Sequence, residues 1–207
     1  PNIIAGKDLK AGGTWLGINN NGLCANILNR ESKTKLANPY SRGQIVLNAL
    51  KKENAISAIK DLSIENFNNY NAFNLFIADY KNAYLLSYNL KETSISEIPF
   101  GYSIIDNLDM NSLISKKQKI YRNLFKNKQI PDPDKNNFKD WKKLLFCKRK
   151  YKNIEKTAVY TCYKNKEYAT VSSSIIGLPN KKMNNICPIW LYNDFDKKNF
   201  ASLKIGK

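Results

Sequence analysis

Apolar and polar residues alternate over many short stretches of the chain, with the period of β-strands. The clearest pair covers residues 14–19 and 23–29, separated by Asn20-Asn21-Gly22. Asparagine and glycine tolerate the positive φ angles of a tight turn, so this pattern predicts a β-hairpin. Further strands are predicted at residues 73–79, 83–88, 93–98, 158–163, 168–176, 188–192 and 200–205, with a weaker one at 2–5.

Glycines precede and interrupt the first strand of this hairpin, at Gly12, Gly13 and Gly17. Glycine at such positions indicates a bulge or the close approach of another backbone or a ligand. The alternative is an ordinary core strand whose backbone the glycines make more flexible. The sequence leaves both interpretations open.

Apolar residues recur with helical spacing in four other segments. Ser41, followed three residues later by Gln44, has the pattern of a capping box and predicts a helix from residue 41 to about residue 52. Helices are also predicted at residues 54–62 and 110–126, and a fourth begins at Phe138.

The elements therefore follow the order hairpin, helices, strands, a helical middle and returning strands. This order predicts an α+β fold in which antiparallel sheets carry helices on their outer faces. The chain has 207 residues, with no internal repeat and no linker rich enough to divide it. We expect residues 1–207 to form a single domain.

The chain contains no histidine. This excludes a Ser-His-Asp triad, a Cys-His pair, a zinc site that uses histidine and a histidine general base within it. Hydrolytic chemistry would need another base, and an α-amino group with a pKa of roughly 8 is suited to that role.

The four cysteines, Cys24, Cys147, Cys162 and Cys187, are scattered along the chain. This spacing favours reduced, mostly buried thiols over disulfides or a zinc site. No run approaches the roughly 20 apolar residues of a membrane span, and the N-terminus lacks the apolar stretch of a signal peptide. We expect a cytoplasmic protein without a metal or a cofactor.

The formal charge of +17 comes from 34 basic residues, of which four are arginine. Arginine is the residue suited to bidentate recognition of phosphates and bases, so its scarcity weakens a nucleic-acid interpretation. The clearest basic cluster is Lys139, Lys142, Lys143, Lys148, Arg149, Lys150 and Lys152. We expect a solvated face there, and a site for an anionic membrane or nucleic acid is the alternative.

A series of short motifs resembles the family named for its Asn-Arg-Asp-Glu (NRDE) motif, which includes the transport and Golgi organization protein of eukaryotes. The most specific motif is Gly12-Gly13-Thr14-Trp15-Leu16-Gly17. The weaker motifs, which gain weight from their order, are Gly6-Lys7-Asp8-Leu9, Gly22, Asn29-Arg30, residues 41–46, 73–75 with Asp79, 130–133 and 168–174.

The resemblance implies a fold like that of the N-terminal-nucleophile hydrolases, with two antiparallel sheets between two helical layers (αββα). Members of the family begin with a nucleophilic cysteine and carry Asn-Arg-Asp-Glu a couple of dozen residues later. This chain has neither feature, because it begins with Pro1 and its first cysteine, Cys24, lies within a strand. The expectation is a domain that lacks its front strand and nucleophile, inactive as given, whose intact parent would cleave an amide bond.

The same resemblance indicates candidate site residues. It implies that Asn29 and Asn107 help to bind an oxyanion, with turn or strand-end asparagines as the alternative. Trp15, Arg30 and Arg42 are candidates for substrate contact, with a core tryptophan and structural ion pairs as the alternatives.

One departure counts against activity. Relatives tend to have an arginine where this chain has Val171.

A second hypothesis is a binding or trafficking protein without enzymatic activity, whose ligand is hydrophobic or haem-like. Without histidine, haem would need cysteine or tyrosine as its axial ligand, or simple apolar burial. In a third hypothesis, the basic C-terminal half of the chain binds an anionic membrane surface or RNA.

Overall fold

The computed structural model describes residues 2–148, 158–159, 169–179, 187–194 and 199–205. These residues form nine strands and four helices. In chain order they are β1 (Ile3–Ala5), β2 (Leu16–Asn19), β3 (Cys24–Asn29), α1 (Gly43–Leu50), α2 (Ala55–Leu62), β4 (Phe73–Ala78), β5 (Ala83–Tyr88), β6 (Thr93–Glu97), α3 (Lys116–Lys126), α4 (Lys139–Leu145), β7 (Ser172–Gly177), β8 (Ile189–Asp194) and β9 (Asn199–Leu203).

The first six strands form one antiparallel sheet in which each strand pairs with the next one along the chain. The predicted hairpin is confirmed as β2 and β3, with Leu16 opposite Asn26 and Ile18 opposite Cys24. The strand begins at Leu16 rather than at residue 14, so Thr14 and Trp15 belong to the loop that leads into it.

One face of this sheet is covered by helices α1 and α2. Ala25 and Ile27 of β3 pack there against Ile45 and Leu50 of α1, together with Leu75 of β4. Both helices carry apolar residues on one side, as the sequence predicts, and that side forms the main core.

The second sheet contains β7, β8 and β9, again antiparallel and in chain order. It packs on the other face of the first sheet, where Ile18 and Cys24 share a buried cluster with Trp190. Helix α4 covers the outer face of the second sheet through Phe138, which packs with Leu191. The layers are helix, sheet, sheet and helix. The predicted α+β fold of antiparallel sheets between helices is confirmed, and it is compatible with an N-terminal-nucleophile-hydrolase-like arrangement.

The capping box predicted at the start of α1 is wrong. The N-cap residue is Arg42, which makes no side-chain cap hydrogen bond. Gln44 donates its side-chain amide to Asn48 Oδ1 at 3.2 Å instead of reaching back to the cap. Ser41 Oγ accepts from Gly43 N at 3.4 Å, so it lies one residue outside the cap position.

Helix α3 begins at Lys116, later than the predicted residue 110. Asn111 has a positive φ of 55°, which a helix does not accommodate. Ser115 is the N-cap residue and accepts from Gln118 N at 3.1 Å. Residues 110–114 therefore form a loop, and their apolar side chains are not part of a helix face.

The strands predicted near the C-terminus are shifted by a few residues or are only partly described. β7 begins at Ser172, after residues 169–171 that the prediction included, and β8 extends to Asp194. Residue 168 of the predicted strand lies outside the described residues. Of the predicted strand at 158–163, residues 160–163 lie outside the described residues.

Candidate functional site

A cleft of about 500 Å³ opens between the two sheets. We call it the inter-sheet cleft. Its lining residues are Trp15, Leu16, Cys24, Asn26, Phe76, Ser172, Ser173, Ser174, Ile176 and Leu178. The wall is mostly apolar with a few hydrogen-bonding groups, which is the usual composition of a small-molecule site.

Two polar side chains of this wall are held in place. Asn26 donates its Nδ2 to the carbonyl oxygen of Trp15 at 2.9 Å. Ser174 Oγ accepts from Trp190 Nε1 at 3.0 Å, so its own hydroxyl hydrogen is left to donate. The cleft therefore offers an amide carbonyl oxygen from Asn26 and a hydroxyl donor from Ser174.

The largest aromatic group of the cleft is Trp15, whose side chain is 43% exposed. The Arg42 guanidinium lies 5.8 Å from the centre of its ring, within the range of a cation–π contact. Arg42 Nη1 also donates to the carbonyl oxygen of Ala72 at 2.9 Å. Burial lowers the pKa of Arg42 from its ordinary value. The structure thus brings together two of the predicted substrate residues, with Arg42 bracing Trp15.

Cys24 lies on the cleft wall but is poorly suited to act as a nucleophile. Burial raises the pKa of its thiol to about 12. The thiolate, which is the reactive form, is therefore scarce at neutral pH. This agrees with the sequence-based interpretation of Cys24 as a small buried apolar residue.

Arg30 comes directly after the last residue of β3, Asn29. It is four residues beyond Asn26, which corresponds to roughly 13 Å of extended chain. Its Nη1 donates to Asn74 Oδ1 at 3.1 Å, and its Nη2 forms an ion pair with Asp109. Asn74 is fully buried and also accepts from Ser87 Oγ at 2.8 Å.

Asn74 ties this cluster to the loop before α3. Its Nδ2 donates to the carbonyl oxygens of Asp106 at 2.9 Å and Leu108 at 2.7 Å. Asp106 in turn accepts from Ser115 Oγ at 2.9 Å and from Gln118 Nε2 at 2.5 Å. The polar groups of this cluster pair with one another, so its role is to hold the loop.

The two predicted oxyanion residues are both exposed and lie apart from the cleft lining. Asn29 ends β3 on the face shared with Ile27, which is the helix-covered face. Asn107 Nδ2 reaches Glu31 Oε2 at 3.4 Å, and its carbonyl oxygen accepts from Glu31 N at 2.7 Å. Their oxyanion role remains a prediction.

Sequence reasoning missed three contributors, namely Asn26, Asn74 and the serines of β7. A signal for Asn26 was present, because it is a polar residue at a position that strand alternation assigns to the same face as Cys24. No local signal identifies Ser174, since its place in the cleft depends on how the two sheets pack. Val171 is exposed just before β7.

The basic cluster predicted on α4 is only partly described. Lys139, Lys142 and Lys143 lie on this helix. Lys142 Nζ lies 5.7 Å from the ring centre of Phe138 and 5.4 Å from that of Phe200, so part of its role is packing. Lys148 is exposed, whereas Arg149, Lys150 and Lys152 lie outside the described residues. Binding of an anionic partner here remains a prediction.

Two further properties concern the described residues alone. They contain no group of three or more cysteine, aspartate or glutamate side chains placed to hold a metal ion. None of their helices is long and apolar enough to cross a membrane.

The protein-family model described as Transport and Golgi organisation 2 matches residues 1–187. A search of the curated proteins returned no match. The family match therefore covers most of the chain, including every residue that lines the inter-sheet cleft.

Proposed function

Because the chain belongs to the transport and Golgi organisation 2 family, a member of the NRDE family, we propose that its inter-sheet cleft binds a small amide-bearing ligand with apolar substituents. The resemblance seen in the sequence motifs is confirmed at the level of the family. The observation that carries the proposal is the cleft itself, with its apolar wall and two fixed hydrogen-bonding side chains.

The shape and polarity of the cleft favour a neutral ligand. Leu16, Phe76, Ile176 and Leu178 supply apolar surface, and the exposed ring of Trp15 supplies an aromatic platform. The lining residues carry no charged side chain. Apolar groups of a ligand would therefore gain from burial there, whereas a charged group would lose its hydration without a partner.

The polar groups of the cleft match an amide in particular. Asn26 Oδ1 accepts a hydrogen bond, and the Ser174 hydroxyl donates one. A secondary amide offers both complements, an N–H donor and a carbonyl acceptor. An ester of the same shape offers only the acceptor, which would leave Asn26 Oδ1 buried without a partner at a cost of about 1–3 kcal/mol.

Amide hydrolysis is the second candidate, favoured by the helix–sheet–sheet–helix order of the layers. N-terminal-nucleophile hydrolases use such a sandwich, and this chain resembles them. Cys24 does not fill the nucleophile's role, because its pKa is about 12 and the chain contains no histidine to activate it. We expect this chain to bind the amide without cleaving it.

A haem-like ligand is less favoured than an amide. Haem ligation by cysteine requires a thiolate, and burial disfavours the thiolate of Cys24. Ligation by tyrosine and apolar burial of the porphyrin without an axial ligand are the versions that a titration can test. The haem alternative remains a prediction. The cytoplasmic location also remains a prediction.

The test of the proposal is a calorimetric titration with N-benzylhexanamide and its ester analogue benzyl hexanoate. We expect saturable binding of the amide, and binding of the ester weaker by about tenfold or more, which corresponds to about 1.4 kcal/mol. Released benzylamine, measured in the same samples, reports any hydrolysis.

The matched variants are Asn26→Leu and Asn21→Leu. Asn26 lines the cleft, whereas Asn21 lies in the exposed hairpin turn. Asn26→Leu should remove the preference for amide over ester, and Asn21→Leu should preserve it. Equal affinity for the two ligands in the unmodified protein, or no binding of either, would contradict the proposal.

A further inference from the structure

Three large apolar side chains are exposed to solvent near α3: Phe100 precedes the loop residues that contact the C-terminal half of the helix, and Leu113 and Ile114 lie just before its N-cap. The exposed fraction is 106% for Phe100, 82% for Leu113 and 80% for Ile114. Single exposed apolar residues are ordinary on protein surfaces, but a group of them marks an interaction site. Leu113 and Ile114 are adjacent in the chain, directly before the Ser115 cap of α3.

Helix α3 presents a basic stripe to solvent. Lys116, Lys119, Arg122 and Lys126 are all exposed and are spaced three or four residues apart, so they share one side of the helix. The opposite side is buried through Gln118 and Tyr121. The stripe is therefore a fixed surface of the fold.

Hydrogen bonds join the loop that carries the apolar residues to this helix. Arg122 Nε donates to the carbonyl oxygen of Tyr102 at 3.0 Å, two residues after Phe100. Asn111 N donates to the carbonyl oxygen of Ile104 at 2.9 Å, and Ile104 N donates back to Asn111 Oδ1 at 3.0 Å. The loop and the helix therefore form one surface, with apolar groups near both ends of the helix and cations along its length.

A depression of about 390 Å³ lies within this surface. It is lined by Gly101, Tyr102, Arg122, Asn123 and Lys126, so it has two cations at its edge. Depressions of this kind suit a phosphate or carboxylate group that is presented from outside.

We propose that this α3 surface, made of Phe100, Leu113, Ile114, Lys116, Lys119, Arg122 and Lys126, docks on an anionic lipid bilayer. Its apolar side chains enter the boundary between headgroups and acyl chains, and its cations contact the anionic headgroups. This is the usual division of roles in proteins that bind at a bilayer surface.

Charge complementarity supports an anionic partner. Residues 97–130 contain six basic side chains and three acidic ones, Glu97, Asp106 and Asp109. Asp106 is held by Ser115 and Gln118, and Asp109 is paired with Arg30. Asp109 is thus already neutralised by an ion pair, and the carboxylate of Asp106 is held within the fold by hydrogen bonds.

The apolar residues favour a bilayer over RNA. Sequence-tolerant RNA sites stack bases on aromatic rings, and this surface offers one exposed phenylalanine beside two aliphatic side chains. Aliphatic groups gain nothing from stacking with bases, but each gains free energy by leaving water for the acyl region. The single arginine of the stripe also limits bidentate phosphate recognition.

The experiment is co-sedimentation of the full chain with vesicles of phosphatidylcholine that contain about 30% phosphatidylserine, at low salt and at about 0.5 M salt. We expect binding to these vesicles, at least fivefold weaker binding to pure phosphatidylcholine, and loss of most binding at high salt. Leu113→Ser/Ile114→Ser and Lys119→Glu/Lys126→Glu should each weaken binding at least fivefold.

The matched controls are Leu9→Ser/Ile64→Ser and Lys33→Glu/Lys35→Glu. Leu9 and Ile64 are 92% and 88% exposed and lie in the loops before β2 and after α2, and the two lysines lie in the exposed loop after β3. These controls should bind like the unmodified protein, and thermal melts confirm that all variants are folded. Absence of vesicle binding, equal loss in the control variants, or binding to polyuridylate in place of vesicles would overturn the proposal.

Discussion

Gly13 and Gly43 are in backbone contact. A Cβ atom on Gly13 would lie 2.5 Å from the carbonyl carbon of Gly43, a distance that no side chain tolerates. Next to this contact, Thr14 N donates to the carbonyl oxygen of Gly43 at 3.2 Å. Gly43 begins α1 and Trp15 follows Thr14, so the contact fixes the tryptophan of the cleft relative to the helix. Of the two interpretations of the glycines, close backbone approach is the one seen at Gly13.

The first prediction concerns this contact. Gly13→Ala should lower the free energy of unfolding by about 2 kcal/mol, because the methyl group meets backbone that can move only with the loop or the helix. It should also weaken amide binding by displacing Trp15. Urea unfolding measures the first effect. Gly6→Ala is the control, since nothing lies within 4 Å of a Cβ at Gly6. Equal stability of the two variants would contradict this account.

Asn19 supports the second prediction. It is fully buried, and its Nδ2 donates to the carbonyl oxygens of Leu50 at 2.9 Å and Lys52 at 2.8 Å. Its Oδ1 accepts from the backbone N–H groups of Asn21 and Leu23. Asn19→Ala leaves several of these groups without partners, and we expect a loss of about 3 kcal/mol in unfolding free energy. The neighbouring exposed Asn20→Ala should cost less than about 0.5 kcal/mol.

Arg30 is the subject of the third prediction. Arg30→Lys keeps the charge but replaces the planar fork that reaches Asn74 and Asp109 together. We expect the free energy of unfolding to fall by about 1–2 kcal/mol. Amide hydrogen exchange at residues 106–109 should become faster. Arg122→Lys, which loses a bond to one carbonyl oxygen, is the comparison. Unchanged exchange in Arg30→Lys would mean that Arg30 does not hold the loop.

Cys24 gives a prediction on pH. Its folded-state pKa is about 12, raised from 9.0, so the unfolded thiol ionises first as the pH rises. The contribution of the protonated Cys24 thiol to the free energy of unfolding is complete below about pH 9. It declines by up to about 1.4 kcal/mol per pH unit between pH 9 and 12. Cys24→Ala should show a shallower decline over that range. Iodoacetamide at pH 8 should label the exposed Cys187 and not Cys24. Rapid labelling of Cys24 in the folded protein would contradict its burial.

Much of the fold followed from local patterns. The β2–β3 hairpin was predicted because alternation and a turn sequence lie within sixteen residues of one another. Asn54 was likewise placed at the start of α2, where its side chain accepts from Ser57 N. The start of α3 was missed because Asn111 adopts a positive φ and Ser115 provides a better cap.

The candidate site was less predictable than the fold. Asn26 and Ser174 belong to different sheets, and only the packing of one sheet on the other brings them to the same cleft. The sequence indicates Trp15 and Arg42 as separate candidates for substrate contact. It does not predict that they are partners, because a cation–π contact has no spacing rule along the chain. Asn74 belongs to one of the family motifs, but its role is not predictable from sequence, because buried asparagines in strands look like ordinary strand residues until their hydrogen-bond partners are known.

The most direct measurement of the central claim is a ¹H–¹⁵N NMR titration of the three tryptophan indole groups with N-benzylhexanamide. Trp15 lines the cleft, Trp190 lies beneath it through its bond to Ser174, and Trp141 lies on α4 in the outer layer. We predict a saturable shift of the Trp15 signal, assigned with Trp15→Phe, a smaller shift of Trp190, and none of Trp141. Absence of a shift, or a Trp141 shift as large as that of Trp15, would contradict binding in the inter-sheet cleft.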